Sequence, residues 1–255
     1  MTVFKDHFSG PGMAAQYAAF RPTYPAELFD YLAGRCPERQ LAWDCACGSG
    51  QASLALAERF ARVIATDASA AQVAAASPHA HIEYRVAPAE KSGLDSSSTD
   101  LVTVAQALHW LDLPSFYAEA LRVLKPGGVL AVWSYGPVHC AHPAIDAVLT
   151  SFYVDVVGPY WPPERALVDS GYRTLPFPLP ELAPPPFAMQ HRWALEPLLG
   201  YIRSWSATAR YVAARASDPV VALGDRLRAH WGDERGEQVI AWPLALRLGM
   251  LGTAR

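Results

Sequence analysis

The sequence predicts an open, doubly wound α/β sheet, and three observations carry that expectation. From Leu41 to about Gly136, short apolar runs alternate with longer amphipathic ones. The connections between them are short, as they are when parallel strands are joined by helical crossovers. The apolar runs hold few charges, which suits strands covered by helices on both faces.

LAWDCA (41–46) reads as a buried strand, and QASLALAERF (51–60) as a helix that offers Leu54, Leu56, Ala57 and Phe60 for packing. RVIATD (62–67) is a second strand and ASAAQVAAAS (68–77) a second helix, ended by Pro78. IEYRVA (82–87) is a third strand, DLVTVAQAL (100–108) a fourth, and LPSFYAEALRVL (113–124) a helix. KPGG (125–128) reads as a turn that feeds a fifth strand, VLAVWSYG (129–136). Parallel strands in this order require right-handed crossovers.

Beyond Gly136 the composition changes. Residues 137–186 are rich in Pro and aromatic side chains and end in LPFPLPELAPPP (175–186), which favours extended backbone. FAMQHRWAL (187–195) reads as a strand, EPLLGYIRSWS (196–206) and PVVALGDRLRAHW (219–231) as helices, and EQVIAWPLALRLGML (237–251) as a late strand. The pattern is a return to the sheet, interrupted by helices able to cap its mouth. There is no internal repeat.

At 255 residues and 51% hydrophobic, the chain has ample material for a large core. Twenty-one Lys and Arg stand against 24 Asp and Glu, a formal charge of −3, and no basic block makes nucleic acid an attractive partner. The first 25 residues contain no uninterrupted apolar stretch of signal-peptide type, and no run of about 18 apolar residues predicts a membrane span. Four cysteines (Cys36, Cys45, Cys47 and Cys140) are too few for a disulfide framework in a chain of this length. The expectation is a soluble cytoplasmic protein, monomer or homodimer, acting on a small molecule.

The stretch DCACGSGQ (44–51) holds the strongest chemical signal. Gly48 and Gly50 follow the first strand, where a chain without Cβ atoms can turn sharply and present backbone N–H groups to a ligand. In open α/β sheets, ligands bind beyond the carboxyl ends of the strands, near the reversal of strand order. The dinucleotide pattern G-x-G-x-x-G/A is incomplete, because Ser53 occupies its third position. Asp67 closes the second strand, 17 residues past Gly50, where a carboxylate can accept from both hydroxyls of a ribose. The ligand expected is a nucleoside with a charged tail.

DCACGSGQ, then ATDAS (65–69), APAEKSGLDSSSTDLVTVAQALHWLD (87–112) and RVLKPGGVLAVW (122–133) together resemble the class I S-adenosylmethionine-dependent methyltransferases over roughly residues 40–135. The family's first motif is acidic-x-G-x-G-x-G, and Ala46 stands here for its first glycine. HFSGPGMAAQYAAFRPTYP (7–25), ALHW (107–110), SWSATARY (204–211) and WPLALRLG (242–249) look like the subgroup of the trans-aconitate methyltransferases, within methyltransferase type 11.

The resemblance implies a Rossmann-like, seven-stranded, mostly parallel sheet with helices on both faces and a capping insertion late in the chain. Residues 1–40 are then a helical cover over the cofactor, 41–136 the S-adenosylmethionine-binding core, and 137–255 a substrate cap with strands that complete the sheet. It implies that Asp44, Ala46, Gly48 and Gly50 cradle the methionine portion, with Asp44 near the ammonium group. Asp67, with Ala68 beside it, holds the ribose; the alternative for Asp67 is an N-cap of the next helix. Ala89 and Glu90 meet the adenine, unless Glu90 is a solvent-exposed loop residue. Gln106 lies near the cofactor tail, with Ala107 contributing backbone.

His109 and Trp110 edge the reaction chamber in this reading, and His109 is the candidate catalytic residue; in the alternative both are structural. Tyr17 and Arg21 share a helix face. The Tyr17 ring could lie against the sulfonium, and Arg21 could grip an acceptor carboxylate, or both belong to an ordinary surface helix. Trp133 and Tyr135, with Tyr160, Trp161, Arg165, Arg203 and Trp205, are candidates for the acceptor pocket, although aromatic side chains are commonly core. Cys45-x-Cys47 and HCAH (139–142) invite a metal reading, but a C-x-C within a strand aims its side chains at opposite faces, so no metal is expected.

The chemistry expected is methyl transfer to a small organic acceptor, with a carboxylate requiring no base and a hydroxyl or carbon acid requiring one. Two other classes remain open from sequence: a nucleoside-binding or sensor protein without catalysis, and an NAD-dependent oxidoreductase.

Overall fold

The computed structural model describes residues 23–252, and the chain divides into two compact units. The larger comprises Tyr24–Gly136, Ala166–Ala188 and the chain from Pro243 onward; the smaller contains Pro137–Arg165 and Met189–Trp242.

In the larger unit, helix α1 (Ala26–Ala33) precedes strand β1 (Leu41–Cys45), helix α2 (Gln51–Ala57), β2 (Arg62–Asp67), α3 (Ala70–Ala74), β3 (Ile82–Val86), β4 (Thr99–Ala105), α4 (Leu113–Val123) and β5 (Leu124–Tyr135). Strands β3-β2-β1-β4-β5 are parallel neighbours in that order. Leu244–Met250 of the late strand Gln238–Met250 pair antiparallel with Tyr135–Val129, and the two-residue strand Glu181–Leu182 pairs with Gly249 and Leu248. The expected doubly wound, mostly parallel sheet is therefore present. Strand order reverses between β1 and β4, which places the ligand-binding crevice of such a sheet at their carboxyl ends.

Alternate residues of each strand enter one of two cores. Trp43, Ile64, Val102, Leu130 and Val132 lie on one face, covered by Phe116, Tyr117, Ala120 and Val123 of α4. Ala42, Val63, Leu101, Ala131 and Trp133 lie on the other, covered by α1 (Leu28, Phe29, Leu32) and α2 (Ala52, Leu56). The period of two along a strand turns adjacent apolar residues into two cores. The buried Asp100 carboxylate pins the start of this sheet: it accepts the backbone N–H groups of Gln40 and Leu41, both at 2.9 Å, and Lys125 Nζ at 2.8 Å.

Two local expectations need correction. Lys125–Gly128 is not a free turn before β5 but lies within it, with a register shift between Thr99 and Leu101 and Gly127 at φ 80°. A Cβ at Gly128 would stand 2.8 Å from the Lys125 carbonyl oxygen, so the irregularity needs the small residue there. Residues 137–186 are not uniformly extended either. They contain the helix Pro143–Ser151, a π turn at Phe152–Val156 and the helix Arg165–Asp169. Pro143 sits in the first turn, where its missing N–H costs nothing, and Ile145, Val148 and Leu149 form a buried helical stripe.

The smaller unit adds the helices Leu195–Arg203, Ser206–Arg215 and Pro219–Trp231, and Ile240 and Ala241 of the late strand pair with Cys140 and His139. Its interior is an aromatic cluster in which Trp242 Nε1 donates to Tyr201 Oη at 3.0 Å. Among the described residues, no helix is long and apolar enough to cross a membrane.

Candidate active site

The glycine turn is built from left-handed backbone. Ala46, Gly48 and Gly50 have φ of 55°, 56° and 87°. Cys47 N donates to Thr66 O, and Gly50 N to Cys47 O, both at 3.0 Å. A Cβ at Gly50 would collide with the Tyr84 ring and hydroxyl, so close packing as well as φ demands glycine there. At Gly48 the nearest heavy atom to a Cβ would be Gln72 Oε1 at 3.8 Å, so φ alone sets the requirement. Ala46 bears an L side chain in the same region, at a cost of about 1–2 kcal/mol.

Two carboxylates flank this turn. Asp44, at the end of β1, is fully buried and accepts the Ser53 hydroxyl at 2.5 Å and the Thr103 hydroxyl at 2.8 Å. Burial dominates and pushes its carboxyl up to about 6, against the pull of those hydroxyls. Asp67, at the end of β2, accepts Gly48 N on Oδ2 and Ser69 N on Oδ1, each at 2.8 Å. The cap of α3 is Ser69, which accepts Gln72 N, and not Asp67. Each Asp67 oxygen has a lone pair beyond the one already engaged, so the carboxylate can also take ribose hydroxyls. Ala68, beside it, is exposed.

The loop after β3 approaches the same place, because Ala87 N donates to Asp67 O at 3.0 Å. Ala89 in this loop is buried and Glu90 half-buried. Beyond β4, Gln106 has φ 57°, donates its backbone N–H to Trp133 O at 2.9 Å and its Nε2 to Tyr135 O at 3.2 Å. Gln106 Oε1 is buried with no hydrogen-bond partner. An acceptor left in that state costs about 1–3 kcal/mol, so a donor on a bound ligand gains there.

These observations fit S-adenosylmethionine: a left-handed turn with glycine at positions 48 and 50, a carboxylate at the neighbouring strand end, and an orphaned acceptor beyond β4. The residues suited to hold it are Asp44, Ala46, Gly48, Gly50, Asp67, Ala89, Glu90 and Gln106, all in the larger unit.

His109 lies in a single 3-10 turn, Leu108–Trp110. Its Nδ1 is 2.9 Å from Tyr172 Oη, its ring stacks on Tyr172 at 5.8 Å, and Trp110 lies 4.4 Å away on the ring-centroid measure. Ala107 is buried and Trp110 exposed. Trp133 is fully buried among Tyr24 and Phe29, at 5.5 and 6.1 Å, and Tyr135 is also buried.

The remaining acceptor candidates belong to the smaller unit. Trp161 and Trp205 lie 5.7 Å apart with Tyr153 beside both, and the Arg165 guanidinium sits 4.7 Å from the Trp161 ring centre. Arg165 Nε donates to Tyr153 Oη at 2.6 Å. Tyr160 is apart from this group, accepting Arg215 Nε at 2.8 Å and packing on Tyr211. Arg203 pairs with Asp218 at 3.1 Å instead of joining the rings. Tyr17 and Arg21 lie outside the described residues. Two surface hollows of about 570 and 510 Å³ occur in this unit, the second lined by Tyr160, Tyr211 and Arg215; neither includes a residue of the glycine turn.

Burial raises the thiols of both Cys45 and Cys47, which makes them poor thiolate ligands. Among the described residues, no group of three or more His, Cys, Asp or Glu side chains could hold a metal ion. Sequence reading missed Ser53 and Thr103 as partners of Asp44, Tyr84 as the neighbour of Gly50, and Tyr172 as the partner of His109. Tyr84 carries a legible signal: it sits on β3 opposite Ala65, which is itself opposite Asp44, so the small Ala65 leaves a large side chain room to reach over β2.

Comparison with known proteins gives a consistent result. The family model described as a methyltransferase domain matches residues 43–132. A protein of Dictyostelium discoideum named as a methyltransferase is 35% identical over 229 residues, covering 89% of this chain and 86% of that one. A solved structure from Anaeromyxobacter dehalogenans, named as a type II methyltransferase, superposes with a TM-score of 0.88 at 45% identity, covering 92% of this chain and 99% of that one. A Saccharomyces cerevisiae protein named as S-adenosylmethionine-dependent is 29% identical over 131 residues, 48% of this chain and 45% of its own length.

Proposed function

The chain belongs to the class I S-adenosylmethionine-dependent methyltransferases, and from that premise we propose that its acceptor is a small organic molecule, with a carboxylate as the group the chemistry suits best. The observation that carries the assignment of the cofactor contacts is the bond from Gly48 N to Asp67, which couples the glycine turn to the strand-end carboxylate. In this reading the left-handed turn receives the methionine arm without steric conflict. Asp67 holds the ribose hydroxyls while keeping its grip on Gly48 and Ser69. Gln106 Oε1 accepts from the ammonium group, with Asp44 supplying negative charge nearby.

The bound cofactor supplies a methyl group already activated by its sulfonium. The work left to the chain is to orient a nucleophile and exclude water. A carboxylate arrives ionised, so no side chain need remove a proton. His109 then meets the acceptor at the edge of the site.

The test is a screen with methyl-labelled S-adenosylmethionine against small carboxylic acids, phenols and isoprenoid precursors. Label recovered in a base-labile ester supports the carboxylate reading. Label confined to phenols or to carbon contradicts it.

A further inference from the structure

Of the Trp side chains, Trp43, Trp133 and Trp242 are fully buried. A buried indole normally finds an acceptor for its N–H. Trp43 Nε1 donates to Thr66 Oγ1 at 2.9 Å, and Trp242 Nε1 to Tyr201 Oη at 3.0 Å. Trp133 Nε1 is buried with no hydrogen-bond partner among the described residues. The Tyr24 and Phe29 rings edge it at 5.5 and 6.1 Å, surroundings that a phenylalanine would fill without stranding a polar atom. A second orphan beside it has the complementary sense. Trp133 stands in register with Ala105, the last residue of β4, and its carbonyl accepts Gln106 N at 2.9 Å. Gln106 Oε1, an acceptor, is stranded as well, and φ 57° is a strained backbone for a residue with a side chain. A donor and an acceptor thus stand unmet on two residues joined at the ends of β4 and β5, and the chain does not pair them with each other.

We infer that Trp133 is an acceptor-binding residue: its indole N–H donates to an oxygen of the methyl acceptor, a carboxylate oxygen in the proposed reading on which this rests. The position follows from strand order. The proposed cofactor contacts stand at the end of β2 (Asp67), in the turn after β1 and beyond β4 (Gln106). β5 is the next strand on the side away from β2, about 5 Å further across the sheet. It falls past the last cofactor contact, where the second reactant belongs. The polarity follows from chemistry. An indole N–H only donates, so it has nothing to offer the cofactor's ammonium or sulfonium, whereas a carboxylate only accepts. A hydrogen bond to an ionised oxygen is stronger than one to a neutral group, and a dry site strengthens it further. Held by one oxygen, a carboxylate keeps the other for attack on the methyl group, so the bond orients the reactant. An acceptor without an oxygen at that place leaves the indole unmet again, which makes Trp133 a specificity determinant.

The experiment follows the indole N–H signals of the full chain labelled with nitrogen-15 tryptophan. Spectra are taken alone, then with saturating S-adenosylhomocysteine, then with acetate, benzoate, citrate or phenol added to that complex at matched ionic strength. Trp133→Phe assigns the signal. Should that variant not fold, Val132–Trp133 is the only Val-Trp pair in the sequence, so valine carbonyl labelling identifies the Trp133 amide and proton–proton contacts lead from it to the indole. The expected result is a downfield shift of the Trp133 signal that appears when a carboxylate joins the complex. A shift that is complete with S-adenosylhomocysteine alone puts the indole on the cofactor and overturns the inference. A signal that none of the four probes moves overturns it too. A shift with phenol and with no carboxylate defeats the proposed acceptor class and leaves Trp133 as the residue that meets the acceptor oxygen, so the two readings fail separately. In folded Trp133→Phe, the probe that moves the signal should bind about tenfold more weakly, equivalent to ~1.4 kcal/mol, with the affinity for S-adenosylhomocysteine unchanged. Equal weakening of both, or of neither, contradicts the assignment.

Discussion

Ser53 donates its hydroxyl to Asp44 at 2.5 Å, so the first residues of α2 hold the carboxylate that closes β1. Thr103 of β4 holds its other oxygen. A buried acid whose folded pKa is raised works against the folded state once it ionises. The folded protein keeps the Asp44 proton up to about 6, whereas the unfolded chain loses it near 3.8. The resulting penalty is absent below the lower value, grows as pH rises between the two, and is complete above the upper one, amounting to about 3 kcal/mol. Asp44→Asn should remove this slope. Urea midpoints measured across that window should show the variant gaining on the wild type as pH rises; parallel curves would contradict the account.

Glu119 behaves with the opposite sign. It is nearly buried, accepts the Ser92 N–H and hydroxyl at 2.8 and 2.6 Å, and takes both Nε and Nη2 of Arg122 at 2.8 Å. Arg122, foremost, holds its carboxyl down to about 2 from an ordinary 4.5. A lowered folded pKa gives stability that is present above the ordinary value and lost as pH falls toward the folded one. Glu119→Gln should flatten that acid limb of a thermal-unfolding series. An unchanged acid limb would mean that the Arg122 contact carries no net stability.

Gly50 faces Tyr84 so closely that any Cβ would strike the phenol. Gly50→Ala combines left-handed strain of about 1–2 kcal/mol with overpacking of about 1–3 kcal/mol, a total destabilisation of about 2–5 kcal/mol. In a Tyr84→Leu background the overpacking should largely vanish, leaving about 1–2 kcal/mol of strain. Urea unfolding of the four proteins measures this coupling, and strict additivity would show that the two side chains do not meet.

Most of the sheet was legible in the sequence because each strand is a short apolar run bounded by its own turn residues. RVIATD and PVVALGDRLRAHW were readable to the residue, as β2 and the helix Pro219–Trp231. The helix Pro143–Ser151 was hidden by the surrounding prolines, although Ile145, Val148 and Leu149 have the helical spacing that would have revealed it. DCACGSGQ and the Asp67 strand end were visible because motif and ligand chemistry are local there. Tyr172 was not: 63 residues separate it from His109, and no local pattern announces a contact made by the fold. The same reason hid the pairing of Arg203 with Asp218, which turns a candidate anion site into a surface ion pair.

The central claim is that the glycine turn and the Asp67 strand end hold the adenosyl cofactor. Isothermal calorimetry with S-adenosylhomocysteine, on the wild type and on Asp67→Ala, tests it directly. The prediction is one site per chain, weakened about 10- to 100-fold in the variant, since charge-assisted bonds of about 1.5–3 kcal/mol are lost. Equal affinity in the two proteins, or no binding by the wild type, would contradict the account.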